Sequence, residues 1–463
     1  MLDVQEIAYR PAADAFAALA DEPFVAWLDS AASSDPRSRY SYLCIRPFSV
    51  IEAVDGRITI GGRRLSGDPF AFLQAELARW RIEPGQAPVP FAGGAVGFLG
   101  YELGGALEVL PARHPNSFGM PDMSFGFYDV VLAFDAREQN CWLLSSGFPE
   151  TEPKRRSRRA AARADEMLAL LRHPARPSHG PIASVSWTPE LSRSAYEARV
   201  GKVLEYIRAG DIFQANFTAR SLAPRPPGIA AAEIYRKLRA LSPAPFAAFL
   251  GCGAGLAVTS ASPERFLRLD PSGQVETRPI KGTRPRGADP ETDRRLRAEL
   301  SASPKDRAEN LMIVDLMRSD LGKVAEIGSI SVPTLCEVES FATVHHLVSA
   351  IEAQLRPGLG PVDLLRAAFP GGSVTGAPKI RAMEIIDELE EARRGPYCGS
   401  IAWIGFDGAM DSSMVIRTLV VTETMLIAQA GGGIVADSDP AGEYEEMQLK
   451  LRPIIDGFGG PSR

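Results

Sequence analysis

The sequence is poor in the features that mark secreted, membrane-spanning and nucleic-acid-binding proteins. Its 463 residues include only five cysteines, which lie far apart and form no Cys-x-x-Cys pair. They are Cys44, Cys141, Cys252, Cys336 and Cys398. An odd number of scattered cysteines favours free thiols in a reducing compartment over a disulfide framework.

Long apolar runs and a basic excess are also missing. No apolar run is long enough to span a bilayer, and the first residues carry Asp3, Glu6 and Asp14 where a signal peptide would have an apolar centre. The net charge of -6 argues against a nucleic-acid surface, which requires clustered basic residues. We therefore expect a cytoplasmic protein that binds neither membranes nor nucleic acid.

The composition is that of a globular protein with a large core, since 45% of the residues are hydrophobic and 23% are charged. Short alternating segments separated by turns predict strands in the first third of the chain. A charged run and a helical pattern follow, and a Pro-rich stretch then predicts a linker. We divide the chain into an N-terminal part at 1–171, a linker at 172–186 and a catalytic part at 187–463.

Two segments of the catalytic part carry candidate catalytic groups. Lys281 lies between an apolar residue and a glycine, and Arg278, Arg284 and Arg286 are close to it in sequence. Nearby cations and burial both favour the neutral amine, which is the nucleophilic form of lysine. Glu264 follows an apolar strand, where a carboxyl group can serve as a general acid. A solvated basic loop and a surface Glu–Arg pair are the alternatives.

Three further carboxylates lie on two predicted helices. A serine cap and a proline start a helix at 303–306, and this helix is apolar almost all round, which predicts burial. Glu309 shares its apolar face and therefore needs a cation, either an arginine or a metal. Glu443 and Glu446 share a face with Lys450, and an exposed Glu446–Lys450 pair is the simpler interpretation. Separated carboxylates of this kind can hold a hard divalent ion.

The remaining polar groups suit a small anionic ligand. Glycines and hydroxyls, among them Thr375, precede a helix predicted over 380–394, and the free N–H groups at a helix N-terminus bind anions. Arg417 is predicted to point inward from a strand at 414–419, where an arginine suits a bound carboxylate. The glycines at 431–433 let backbone amides approach a ligand closely.

Together these segments resemble the chorismate-utilising enzyme family, which includes the first components of anthranilate synthase and aminodeoxychorismate synthase, and the isochorismate synthases. The matching blocks are, in order, Gly210 to Asn216, Ser262 to Phe266, Pro279 to Thr283, Asp315 to Gly322, Thr375 to Lys379, and the Gly-rich strand with Glu443 to Glu446 after it. Met317 and Ser319 depart mildly from the family pattern. The resemblance implies an α+β fold of two packed antiparallel β-sheets with helices on the outside.

Two positions discriminate within the family. Isochorismate and salicylate synthases carry a water-activating lysine where this chain has Gln214, and anthranilate synthases generally carry alanine where it has Lys281. The resemblance therefore implies amination of chorismate to 4-amino-4-deoxychorismate through a lysine-linked intermediate, in 4-aminobenzoate and folate biosynthesis. An anthranilate synthase component I is the alternative enzyme. A non-catalytic ligand-binding or regulatory subunit is the alternative of another class.

Carried over residue by residue, the resemblance assigns roles. Lys281 would attack the ring, Glu264 would protonate the leaving hydroxyl, and Glu309 and Glu446 would hold Mg²⁺ with Glu443 beside them. The residues implied to bind substrate are Gln214, Gly282, Thr283, His346, Thr375, Tyr397, Arg417, Gly431, Gly432, Gly433 and Lys450.

The resemblance has two further implications, one for regulation and one for the ammonia supply. The positions of a tryptophan pocket in anthranilate synthases correspond to Ser30, Ser38, Arg39, Tyr40, Pro245 and Phe246, and the sequence leaves open whether anything binds there. No glutaminase block is recognisable in the chain. Ammonia is therefore expected from a separate glutamine amidotransferase subunit.

Overall fold

The computed structural model describes residues 2–32, 35–172, 180, 182–341 and 344–459. Its strands are, in chain order, β1 (Asp3–Ile7), β2 (Ala26–Asp29), β3 (Tyr40–Cys44), β4 (Ser49–Val54), β5 (Arg57–Ile60), β6 (Arg63–Ser66), β7 (Gly94–Leu99), β8 (Met123–Tyr128), β9 (Val130–Asp135), β10 (Asn140–Ser145), β11 (Thr188–Pro189), β12 (Gln214–Pro224), β13 (Phe246–Gly251), β14 (Ala257–Ser262), β15 (Arg265–Leu269), β16 (Gln274–Thr277), β17 (Ile280–Pro285), β18 (Ser331–Ser340), β19 (Val344–Gln354), β20 (Gly376–Ala377), β21 (Ser400–Gly405), β22 (Met410–Met414), β23 (Thr418–Val421) and β24 (Met425–Ile434).

The helices surround these strands. They are, in chain order, α1 (Ala12–Leu19), α2 (Pro69–Ala78), α3 (Pro153–Arg172), α4 (Arg193–Ala209), α5 (Ala231–Leu241), α6 (Pro290–Ala302), α7 (Pro304–Gly322), α8 (Pro361–Ala368), α9 (Lys379–Leu389) and α10 (Pro440–Phe458), with short 3₁₀ helices at Tyr101–Ala106 and Gly372–Val374. No helix in the described ranges combines the length and the apolar character that a transmembrane segment needs.

The strands form two antiparallel sheets of 12 strands each. The first runs β1-β10-β9-β3-β2-β13-β14-β23-β24-β12-β11, with β20 also paired to β12. The second runs β17-β19-β16-β15-β22-β21-β7-β8-β4-β5-β6, with β18 also paired to β19. The predicted α+β fold class is confirmed.

The two sheets pack face to face around one hydrophobic core. Tyr42 of β3 and Trp403 of β21 meet across this layer with ring centroids 6.3 Å apart. β8 and β9 are buried at every position, because both of their faces are covered. Helices α4, α5 and α10 pack on the first sheet, and α6 and α7 pack on the second.

Strands from both ends of the chain share each sheet. In the first sheet β2 pairs with β13, and in the second β7 pairs with β21. Beside the first pair the rings of Phe16, Trp27, Tyr235 and Phe249 pack together, with centroids 4.6 to 6.1 Å apart. The division of the chain at 172–186 stays a prediction. Most of that segment, 173–179 and 181, lies outside the described residues.

Three local expectations are wrong. Helix α7 starts at the predicted cap, where the Ser303 hydroxyl accepts from the N–H of Asp306, but it is not buried all round because Leu311 is 48% exposed. The helix predicted over 380–394 ends at Leu389, because the backbone of Glu390 is extended, and Glu102 accepts from the N–H groups farther along at 394 and 395. The strand predicted over 414–419 is interrupted at Arg417, whose φ of 50° is left-handed.

Candidate active site

Lys281 lies at an irregular point of β17. The register against β19 shifts between Lys281 and Thr283, which is opposite His346. Gly282 occupies the shift with a φ of 76°, a conformation that glycine adopts without steric cost. A Cβ at Gly282 would also come within 2.8 Å of the Asp306 carboxyl carbon. A bulge of this kind changes the direction of neighbouring side chains, which explains why a glycine follows the lysine.

Glu264 lies close to Lys281, at the junction of β14 and β15. Its carboxyl accepts hydrogen bonds from the Ser373 hydroxyl and the Ile280 N–H. Burial raises the pKa of Glu264 to about 7, although the positive charges of Lys281 and Arg37 act in the opposite direction. A carboxyl group that is partly protonated at neutral pH is matched to general-acid chemistry.

The three arginines near Lys281 in the sequence are each held by a carboxylate. The ion pairs are Arg278 with Glu339, Arg284 with Asp306, and Arg286 with Asp293. The carboxyl groups on which the Lys281 charge acts are Glu264, Glu309 and Glu446. Each arginine thus has a carboxylate partner, and activation of the lysine by these arginines stays a prediction.

Helices α7 and α10 supply three carboxylates, Glu309, Glu443 and Glu446, and the two from α10 lie near Gly432 of β24. A Cβ at Gly432 would lie 3.0 Å from Oε2 of Glu443 and 3.6 Å from Oε1 of Glu446, so the glycine keeps the space before them open. Burial raises the pKa of Glu309 and of Glu443, and the charge of Glu446 adds to both shifts. Burial opposes ionisation of Glu446 too, but Lys450 at 2.8 Å holds the pKa of Glu446 below its ordinary value.

These three carboxylates fit a divalent cation. Their oxygens are hard ligands, and their mutual repulsion is an imbalance that a bound cation relieves. Across the described ranges, no three Asp, Glu, His or Cys side chains are already gathered closely enough to enclose a metal. Carboxylates of this kind would suit an ion such as Mg²⁺, which takes one or two carboxylates and completes its shell with water and substrate oxygens.

Strands β12 and β24 place Gln214 and the glycines together. Gln214 is fully buried, and neither atom of its amide group has a hydrogen-bond partner among the described residues. A Cβ at Gly433 would lie 2.9 Å from Nε2 of Gln214. A buried amide without partners is costly, which points to a ligand or water at this place. Gly431 differs, because its Cβ would meet the Phe217 carbonyl, and its own carbonyl accepts from Lys450 at 2.7 Å.

His346 and Arg417 form the other end of the site. Nδ1 of His346 lies 2.9 Å from the Thr283 hydroxyl. Burial lowers the pKa of His346 to about 4, and the positive charges of Arg417 and Arg37 act in the same direction. The imidazole is therefore neutral at pH 7, and the cation beside it is Arg417, whose side chain is reached by solvent. A neutral imidazole and a guanidinium suit a substrate carboxylate.

Thr375 and Tyr397 lie deeper than expected. Both are buried, and the Thr375 hydroxyl donates to the Gly371 carbonyl at 3.1 Å. Arg394 pairs with Glu390 and donates to the carbonyls at 374 and 216, which ties this layer to β12. The structure places these two predicted binding residues in the wall that supports the site.

A separate cavity of about 520 Å³ corresponds to the predicted tryptophan pocket. Of the six predicted residues, those that line it are Ser30, Arg39, Tyr40, Pro245 and Phe246. Ser38 does not line it and is buried. Aromatic walls come from Tyr42 and Trp403, and we call this space the aromatic cavity. Binding of tryptophan there stays a prediction.

Three residues near the catalytic groups were missed. Ser373 belongs to the hydroxyl-rich run before α9 and could have been included on that ground. In the sequence, Lys305 stands out only as part of the start of a helix. Arg37 lines the aromatic cavity and is held bidentately by Asp35 at 2.9 and 2.7 Å, while its charge acts on Glu264. No sequence pattern links Arg37 to a residue so far along the chain.

With this geometry in place, comparison with known proteins gives the class. Residues 25–456 match the family model described as chorismate binding enzyme. The chain belongs to this family, which confirms the resemblance carried by the motifs and makes it an enzyme of the chorismate-binding class.

Individual relatives narrow the comparison. The chain is 42% identical over 447 residues to the aminodeoxychorismate synthase component 1 of Klebsiella aerogenes, covering 95% of each protein. It is 39% identical over 442 residues to the anthranilate synthase component 1 of Thermus thermophilus, covering 95% of this chain and 94% of that one. The crystal structure of anthranilate synthase component I from Streptococcus pneumoniae matches with a TM-score of 0.80 and 31% identity, over 89% of this chain and 91% of that one.

Proposed function

We propose that this chain catalyses the amination of chorismate by ammonia, giving 4-amino-4-deoxychorismate and water. The observation that carries the proposal is the position of Lys281, next to the Gly282 bulge and close to Glu264, Glu309 and Glu446. Direct attack of ammonia on the ring needs no lysine, whereas a lysine-linked route needs an amine at this place. The 42% identity to a relative named aminodeoxychorismate synthase component 1 supports the same reaction.

In the first step the neutral amine of Lys281 forms a bond to ring carbon C2. The ring double bonds shift, the C4–O bond breaks, and Glu264 gives its proton to the departing hydroxyl, which leaves as water. The pKa of Glu264, raised to about 7 by burial, leaves a large share of this carboxyl protonated at neutral pH. The product is a secondary ammonium that joins Lys281 to the ring.

In the second step ammonia bonds to C4, the double bonds shift back, and the bond between C2 and the Lys281 nitrogen breaks. The nitrogen keeps the electron pair and leaves as a neutral amine. The Glu264 carboxylate takes a proton from the new C4 ammonium group, so both residues return to their starting forms. The sum is chorismate plus ammonia giving 4-amino-4-deoxychorismate plus water.

The other residues hold the anionic substrate. Glu309 and Glu446 would bind Mg²⁺, which when bound supplies positive charge for the ring carboxylate and offsets the acidic groups near Lys281. Arg417 and the neutral His346 suit the second carboxylate. The unpartnered Gln214 amide offers a donor and an acceptor to the ring substituents.

We also propose that a separate glutamine amidotransferase supplies the ammonia. The name of the relative from Klebsiella aerogenes, component 1, supports a synthase with a second component. The purified chain should therefore use ammonium salts and not glutamine. Glutamine-dependent turnover by the chain alone would contradict this part of the proposal.

The decisive experiment tests the covalent bond to Lys281. With chorismate and Mg²⁺ but no ammonia, an adduct of protein and dehydrated substrate should accumulate and be visible by intact-protein mass spectrometry. Peptide mapping should locate the adduct on Lys281. Lys281→Ala should abolish both the adduct and the formation of 4-amino-4-deoxychorismate, and should shift any residual product towards anthranilate, which its fluorescence reports.

A matched control is available on the surface of α4. Lys202 is an exposed lysine paired with Glu205, and Lys202→Ala should form the adduct and the product as the wild type does. If Lys281→Ala still makes 4-amino-4-deoxychorismate at the wild-type rate, the nucleophile assignment is wrong. If the wild type makes anthranilate instead, the chain is an anthranilate synthase and the proposed reaction is wrong.

A further inference from the structure

Lys305, the second residue of α7, lies between two of the candidate metal ligands. Its Nζ is 4.0 Å from Oε1 of Glu309 and 3.9 Å from Oε1 of Glu443. The Lys305 side chain is 46% exposed, whereas those of Glu309 and Glu443 are 14% and 6% exposed. A solvent-reaching amine therefore extends over two largely buried carboxylates that come from different helices.

The contacts of Lys305 are electrostatic rather than directional. Both distances exceed the range of an N–H···O hydrogen bond, which ends near ~3.2 Å. Lys450, by contrast, is held by Glu446 at 2.8 Å and by the Gly431 carbonyl at 2.7 Å. Of these two lysines, Lys305 is therefore held by electrostatic attraction alone, and it can move away without breaking a hydrogen bond.

The other partners of the two carboxylates leave room for a stronger cation. Glu443 accepts a hydrogen bond from the Ser438 hydroxyl at 2.6 Å, and Glu309 is influenced by the charge of Lys281. Gly432 keeps the space in front of Glu443 and Glu446 free. An ammonium group midway between Glu309 and Glu443 lowers their repulsion in the way that a metal ion would.

We infer that Lys305 is a displaceable counter-cation, which occupies the position between Glu309 and Glu443 and withdraws into solvent when a divalent cation binds. The inference rests on the proposed metal role of Glu309 and Glu446, with Glu443 beside them, and the charge of Lys305 acts on all three carboxylates. Two cations cannot share this space without strong repulsion, and the long flexible stem of a half-exposed lysine gives it a route out. Lys305 therefore opposes metal binding while it protects the metal-free protein.

A purely structural ion pair would behave differently. Removing a structural pair lowers the melting temperature by the same amount with and without metal. Removing a counter-cation lowers it only in the absence of metal, because the metal restores the missing charge and then binds more tightly.

The test compares Lys305→Gln with wild type and with Lys202→Gln, a surface lysine that pairs with Glu205. Mn²⁺ binding is measured by electron paramagnetic resonance and Mg²⁺ binding by calorimetry, and the melting temperature is recorded in EDTA and in saturating Mg²⁺. Lys305→Gln should bind either ion about threefold to tenfold more tightly, the size expected for losing two partly exposed ion pairs. Its melting temperature should fall in EDTA and recover in Mg²⁺. Lys202→Gln should match the wild type in every measurement.

Lys305→Arg keeps the charge and serves if the glutamine variant fails to fold, since it should bind metal no more tightly than wild type. An unchanged or weaker metal affinity of Lys305→Gln, with wild type binding normally, overturns the inference, and so does a tighter affinity of Lys305→Arg. If wild type binds neither ion, or if Glu309→Gln binds as well as wild type, the metal assignment of the proposed function fails instead.

Discussion

The active site and the aromatic cavity are built by the same two sheets, but their charged side chains differ in how closely they are paired. Around the aromatic cavity several charged side chains are closely paired, as Arg39 is with Asp135 at 2.7 Å and Arg265 with Asp411 at 2.9 Å. In the active site Glu264, Glu309 and Glu443 all have a raised pKa, with burial as the largest cause.

The difference separates charged side chains that stabilise the fold from those that can act on a ligand. A closely paired charge mainly holds loops and strands in place, although Arg37, which is paired with Asp35, also acts on Glu264. An incompletely neutralised carboxyl group destabilises the empty site and is stabilised by a proton, a metal or a substrate cation. The active site is thus recognisable by its unbalanced charge.

The largest effect is expected at the catalytic acid. Glu264→Gln removes the transferable proton and should lower kcat by about 10²- to 10⁴-fold. The wild type needs Glu264 protonated, so its kcat/KM should fall as the pH rises through about 7, and the variant should lack this dependence. Steady-state assays from pH 5.5 to 9 measure both effects.

The control for this prediction removes a paired carboxylate instead. Glu276 of β16 lies 2.8 Å from Arg265, and Glu276→Gln should keep the wild-type pH profile. A loss of less than about tenfold in Glu264→Gln, small against the usual range for general acids, would show that another group provides the proton.

The same substitution should stabilise the empty protein at high pH. Burial raises the pKa of Glu264 above its unfolded value, so the stability linked to this group is complete below about pH 4.5 and is lost as the pH rises through about 7. Glu264→Gln cannot ionise and should exceed wild type by about 2–4 kcal/mol at pH 8, with the advantage vanishing near pH 4. Urea unfolding at the two pH values measures this, and equal stability at pH 8 would refute it.

The smallest effect is expected at Arg37, which links the aromatic cavity to the active site. Arg37 lines the aromatic cavity, and with Lys281, Ser373 and the Ile280 N–H it stabilises the ionised form of Glu264 in the active site. Arg37→Gln should raise the pKa of Glu264 and move the high-pH fall of kcat/KM upward by less than about one unit, the size of a single neighbouring charge. Arg37→Lys should restore the wild-type profile.

Arg39 provides the matched comparison for Arg37. It also lines the aromatic cavity and is paired with an aspartate, Asp135, as Arg37 is with Asp35, but the charge that acts on Glu264 is that of Arg37. Arg39→Gln should therefore leave the pH profile of kcat/KM unchanged. An equal shift in both arginine variants would mean that Arg37 has no specific effect on Glu264.

Much of the site could be predicted from the sequence, because chemically demanding residues stand in short ordered blocks. The positions of Glu264 and Lys281 follow from such blocks, and so does the carboxylate set on α7 and α10. The two-sheet fold followed from the family resemblance, and the Ser303 cap followed from local rules. Local rules use only the neighbouring residues in the chain, and for these residues the neighbours are enough to predict the position.

Other features could not be predicted, because they depend on contacts between distant segments. The carboxylate partner of Arg278 comes from β18, so the sequence around Lys281 does not reveal that this arginine is paired. The left-handed Arg417 interrupts an apparently regular strand, and its carbonyl accepts from the N–H of Ala261. The effect of Arg37 on Glu264 joins residues far apart in the chain, and Arg37 itself lies between β2 and β3, which pair with each other while β2 also pairs with β13.

The sharing of both sheets by the two ends of the chain has a consequence for the timing of synthesis. Strand β7 pairs with β21, which follows it by about 300 residues, and a ribosome that adds ~5–20 residues per second needs ~15–60 s to make them. During that interval β7, which is buried along its whole length in the finished sheet, has one edge without its partner. Both sheets are completed only when the last strands leave the ribosome. Until then the nascent chain exposes strand edges that other chains could pair with, and the residues of the active site come together only at the end of synthesis.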